Sequence, residues 1–126
     1  MKGVIRLVIL QEVKEILNAD VLAGDSSEFE YRSIDIERVF ASDLMSDVLA
    51  FAEERTMLLT GLTNLQAIRT AEMLDIDVIV FVRGKMPNED IIKLAEEQKI
   101  VVMATKLGMY DSCGKLYRKG IKGMLD

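Results

Sequence analysis

The chain has 126 residues, of which 50% are hydrophobic and only 6% aromatic, and it carries a net charge of -5. A single domain of this length can bury roughly two-thirds of its unfolded surface, so an aliphatic core can hold it without staples. The acidic balance opposes non-specific contact with nucleic-acid phosphates. The absence of histidine excludes His-containing zinc sites and Ser-His or Cys-His nucleophile pairs, and one cysteine, Cys113, excludes an intramolecular disulfide.

Residues 1–8 leave three readings open: an added strand, a helix extension or a leader. The apolar run there is short and holds Arg6, without a small-residue cleavage site. Nothing approaches the ~20 apolar residues of a membrane span, and a cytoplasmic location is expected. Residues 9–18 place Ile9, Val13, Ile16 and Leu17 on one helical face. Residues 20–24, DVLAG, read as a short strand. The polar segment GDSSEFEYRSIDIE reads as a surface loop with an edge strand.

From there the pattern alternates. ERVFAS is predicted as a strand, followed by a helix with Ser42 as N-cap, Asp43 at its positive end, and an apolar face of Leu44, Val48, Leu49 and Phe51. TMLLTG is a continuous apolar run, as a strand buried on both faces should be. Thr63 and Gln66 match a capping box opening the helix LQAIRTAEML. VIVFV is a second buried strand. The only proline, Pro87, is placed in the first turn of the next helix, with Glu89 and Asp90 after it. IVVMAT is the last strand, and the final helix carries Met109, Cys113, Leu116 and Tyr117 and ends at Gly120. This order predicts an α/β fold with a mainly parallel sheet flanked by helices. The expected division is an extension over 1–9, one domain over 10–120 and a fraying tail over 121–126.

In open α/β sheets ligands bind beyond the carboxyl ends of the strands, so the polar junctions are the candidate binding residues. At Thr60, Gly61, Thr63, Asn64 and Gln66, a glycine and a helix N-terminus suit a phosphate or carboxylate; an ordinary capped turn is the alternative. There is no P-loop pattern. Arg83, Gly84 and Lys85 set two cations around a glycine directly after a buried strand. Thr105 and Lys106 follow the last strand, and Tyr110 can stack on a ring or pack half-buried. Asp43 and Asp47 share a helical face as an (i, i+4) pair and can approach Mg²⁺, or lie solvated. Cys113 has apolar neighbours and reads as an inert thiol. No catalytic constellation, resident metal or cofactor is read here.

The segment from Leu10 to about Gly120 resembles the DRTGG domain. That domain occurs alone, beside CBS domains in regulated pyrophosphatases, and in related form at the N-terminus of the HPr kinase/phosphorylase family. The resemblance rests on LQEVKEILNADVLAG, on ASDLMSDVLAF, on Thr60, Gly61, Asn64 and Gln66, and on PNEDIIKLAEE followed by IVVMATKLGMYDS. This chain departs from the family name's own residues: Leu62-Thr63 stands where Asp-Arg would, and Val82-Arg83-Gly84 where Thr-Gly-Gly would. The phosphate loop of the HPr kinase core is absent. The resemblance implies a non-catalytic regulatory or ligand-sensing module acting as a homodimer, with an adenine nucleotide or other anionic small molecule as ligand. The alternatives are a pure protein-interaction partner of an enzyme and a Mg-dependent phosphoryl-transfer enzyme using Asp43 and Asp47. A receiver-type layout is set aside, because Gly61-Leu62 and Arg83-Gly84 stand where its acidic residues would be. No nucleic-acid or membrane partner is expected.

Overall fold

The computed structural model describes residues 8–26, 29–30, 34–53 and 55–125. Its centre is a five-stranded sheet in the order β2-β9-β8-β7-β6. Strands β6 (Arg38–Ala41), β7 (Thr56–Thr60), β8 (Val78–Phe81) and β9 (Val101–Ala104) run parallel. β2 (Asp20–Ala23) adds an antiparallel edge against β9, with a register shift between Val21 and Ala23. The three inner strands are wholly buried, which is why each reads as an unbroken apolar run.

Successive side chains leave a strand on opposite faces. Met57, Leu59, Val78, Val80, Val101 and Met103 therefore feed one core, and Leu58, Ile79, Phe81 and Val102 feed the other. The second core is closed by α2 (Met45–Phe51), α3 (Leu65–Met73) and α4 (Glu89–Glu97). Strands β6 to β9 are neighbours in chain order, and crossovers of one hand then stack their three helices on a single face. The first core is closed by α1 (Leu10–Leu17) and α5 (Met109–Arg118), with Val8, Ile36 and Ile121 packed beside them.

Several boundaries differ from the sequence reading. In α1 the buried positions are Leu10, Val13 and Leu17; Ile9 is the half-exposed N-cap, because Val8–Ile9 (β1) is a strand paired with Asp35–Ile36 (β5). That settles the strand reading at Val8; residues 1–7 lie outside the described part. The described residues of the polar segment supply no edge to the main sheet. They hold a small hairpin, Asp25–Ser26 (β3) with Phe29–Glu30 (β4), while β5 pairs with β1.

α2 starts later than expected, at Met45, with Leu44 as N-cap. Ser42 does not cap it: its Oγ accepts from Leu44 N at 2.9 Å in a local turn. The buried face of α2 is Met45 and Val48, leaving Leu44, Leu49 and Phe51 exposed. Asn64, not Thr63, caps α3 by accepting from Ala67 N at 3.2 Å. Asn88 caps α4 in the same way with Ile91 N, so Pro87 lies just outside the helix.

The segment after Gly120 is not frayed at its start. Ile121 is 2% exposed. Lys122 bridges β6 through Arg38, and Arg38 Nη1 donates to Gly123 O at 2.8 Å.

Candidate functional site

The strand ends divide into two places. The first lies beyond β7, and Asp43 organises it. Its Oδ1 accepts from Gly61 N at 2.6 Å and from the Thr60 hydroxyl at 3.2 Å, and its Oδ2 faces Arg83 Nη2 at 3.5 Å. The N–H of Gly61, the glycine expected to let a ligand approach the backbone, is thus taken by the chain's own carboxylate. The Thr60 hydroxyl is spent as well, since it also accepts from Leu62 N at 3.1 Å. The approach at Gly61 is close: a Cβ there would meet the Arg83 guanidinium, which would have to swing aside. Arg83 itself holds φ at +65°, a region costly for a residue with a Cβ, and Gly84 follows at +68°. Two backbone bonds tie this turn to the loop after β9, Arg83 N to Leu107 O (2.8 Å) and Gly84 N to Thr105 O (2.9 Å), and Lys85 N closes it on Val82 O (3.4 Å).

Asp43 precedes α2 rather than lying in it, so the (i, i+4) helical pairing with Asp47 does not form. Among the described residues no group of three His, Cys, Asp or Glu side chains could hold a metal ion.

The second place is a cleft of about 640 Å³ beyond β8 and β9. Gly84 and Met86 line it from the β8 loop, Thr105 and Lys106 from the β9 loop, and Asp20 and Lys115 from β2 and α5. The two loops are joined at their starts by the Arg83–Leu107 and Gly84–Thr105 backbone bonds and part only beyond them, β8 leading into α4 on one face of the sheet and β9 into α5 on the other. Such a divergence opens a crevice at the carboxyl edge of an α/β sheet. Thr105 shapes this cleft rather than reaching into it. It is buried, donates to Leu17 O at 2.7 Å and accepts from Leu107 N at 3.2 Å. Lys106 is the exposed cation at the rim.

The remaining candidates scatter. Asn64 spends its side-chain oxygen on the α3 cap, and Thr63, Gln66 and Lys85 do not line the cleft. Tyr110 is 88% exposed on the outer face of α5, neither half-buried nor at the cleft. The residue that sequence reasoning missed as an organiser is Asp43. Its partners lie 17, 18 and 40 positions along the chain, beyond any local pattern.

No family model matches the chain, and no curated protein does. Among solved structures, it is similar to the CBS and DRTGG domains of the regulatory region of Clostridium perfringens pyrophosphatase, complexed with the activator diadenosine tetraphosphate. The TM-score is 0.70 at 16% identity, covering 86% of this chain and 45% of that one. The fold is that of a DRTGG-like domain.

Proposed function

We propose that this chain is a regulatory, ligand-sensing module, acting as a homodimer, that binds an anionic small molecule of the adenine-nucleotide class in the β8–β9 cleft. The observation that carries the reading is the divergence of the connections from β8 to α4 and from β9 to α5, beside which lies a cleft lined by Lys106 and Lys115. A phosphate group entering there meets the ammonium groups of Lys106 and Lys115, with the Asp20 carboxylate on the same lining and the Gly84 N–H already given to Thr105 O. The similar pyrophosphatase region binds an activating dinucleotide, which supports the ligand class. Asp43 and Arg83 then serve to hold the neighbouring loop in shape. The assembly controlled is a partner enzyme rather than chemistry within this chain.

The test is a thermal-shift screen with AMP, ADP, ATP and diadenosine polyphosphates, with and without Mg²⁺. Ligand at 100 times its dissociation constant should add ~2.7 kcal/mol, a shift of several degrees. A shift lost in Lys106→Ala and Lys115→Ala supports the cleft. A shift lost only in Arg83→Ala moves the ligand to the Gly61 loop. A flat response throughout removes the nucleotide reading. It would leave a pure protein-interaction module, a reading favoured by the exposed Leu44 (57%) and Phe51 (59%) on the outer side of α2.

A further inference from the structure

Helix α5 turns an unusual face outward. Its inner side is anchored by Ser112 and Leu116, while Tyr110 is 88% and Tyr117 58% exposed. An α-helix advances about 100° per residue. Tyr110 and Tyr117 then stand on one shoulder of the outer face, Gly114 along its middle, and Asp111 and Arg118 on the other shoulder. Among the described residues, nothing beyond the helix's own backbone and the adjoining residues lies within 4 Å of the place where a Cβ on Gly114 would be, so the middle of this face is an open notch. Among the described residues neither Asp111 nor Arg118 makes an ion pair.

This pattern is complementary to itself. A two-fold axis through the notch, perpendicular to the helix, sets a second α5 antiparallel to the first. Such an axis brings like shoulder to like shoulder and reverses the direction along the helix. Asp111 of one copy then meets Arg118 of the other, twice. Tyr110 meets Tyr117, also twice, and the two Gly114 notches let the backbones approach. Tyrosine and arginine are the residue types enriched at interface centres. The antiparallel helix dipoles also attract.

We infer that the outer face of α5 is a homotypic docking surface whose occupant is α5 of a second copy of this chain. The inference rests on the homodimer reading and names its surface. One helix pair buries an area at the low end for specific interfaces, so the dimer depends on concentration. Lys115 lies beside this face and also lines the β8–β9 cleft, which sets the second copy next to the ligand site.

The experiment is sedimentation equilibrium of the full chain across a concentration series. The variants are Gly114→Leu, Asp111→Arg and the swap Asp111→Arg/Arg118→Asp. Gly114→Leu has open space in the monomer, and circular dichroism checks that each variant is folded. The wild type should dimerise. Gly114→Leu and Asp111→Arg should each weaken the dimer by at least about tenfold, and the swap should restore most of what Asp111→Arg loses. A wild-type dimer indifferent to both single variants overturns the α5 surface while leaving the homodimer reading standing. A wild type that stays monomeric at its solubility limit overturns both.

Discussion

Asp43 is worth more to this fold than its exposed position suggests. Replacing it by alanine leaves the Gly61 N–H and the Thr60 hydroxyl without their acceptor. Asp43→Ala should cost about 1–3 kcal/mol in urea unfolding. The ion pair it makes with Arg83 is half-exposed and contributes little of that. Gly61→Ala should therefore be mild, below about 1 kcal/mol, because the displaced group is the free end of an arginine arm that can swing into solvent. Gly24→Ala makes the contrast. A Cβ there would come within 3.1 Å of the Val101 Cα at a φ of +92°, and it should cost more than about 1 kcal/mol. Asp77 adds a pH signature. Partial burial, helped by the charge of Asp75, pushes its pKa above the usual carboxylate range. A carboxyl that holds its proton more tightly when folded destabilises the fold once ionised, and does nothing when protonated in both states. Asp77→Asn should then raise Tm slightly at pH 7 and lose that advantage near pH ~3. Of the site, the sequence made the strand-end glycines and cations legible because they directly follow apolar runs. It hid Asp43's role, and it hid that the hydroxyls of Thr60 and Thr105 are spent on the fold, because those bonds join distant segments.

At the scale of elements, what was legible depended on how many sides of each element are buried. Strands β7, β8 and β9 touch core on both faces, so nearly every residue is apolar and the run announces itself. Phe81 is fully buried beneath the helical layer, and Phe81→Ala should cost about 3–5 kcal/mol. Helix α2 shows the opposite case. Its apolar residues outnumber the places the core can take, and a two-residue difference in its start turns the face. The late start has a physical cause: Ser42 continues the β6–β7 ladder through its N–H to Leu59 O, and Asp43 is drawn to Gly61. The chain can enter the helix only after both are satisfied. Leu44→Ala and Phe51→Ala should consequently shift stability by less than about 0.5 kcal/mol in the same unfolding assay. The α3 cap was misplaced by one residue, and Pro87 was placed inside α4 when it lies before the cap, for a simpler reason. Asn64 and Asn88 each stand beside another plausible starting residue, and only the backbone decides which side chain meets the third N–H.

Across the whole molecule, the segment following Gly120 behaves as part of the fold. Ile121 fills the first core, and Arg38 reaches Gly123 O while its Nε sits 3.4 Å from Glu53. Ile121→Ala should cost about 2–5 kcal/mol, as a core truncation rather than a change to a loose end. The antiparallel pairing of β2 with β9 has a further consequence, and it concerns time. Thr105 closes on Leu17 across 88 positions of sequence, whereas β6, β7 and β8 each find their neighbour within the next crossover. Loop-closure entropy falls late on such a distant contact. As the polypeptide emerges from a ribosome, the parallel strands can zip in order while α1 still shows Leu10, Val13 and Leu17 to water. The apolar stripe of α1 is the surface a chaperone would meet first, and it is covered only when the last strand and helix have arrived.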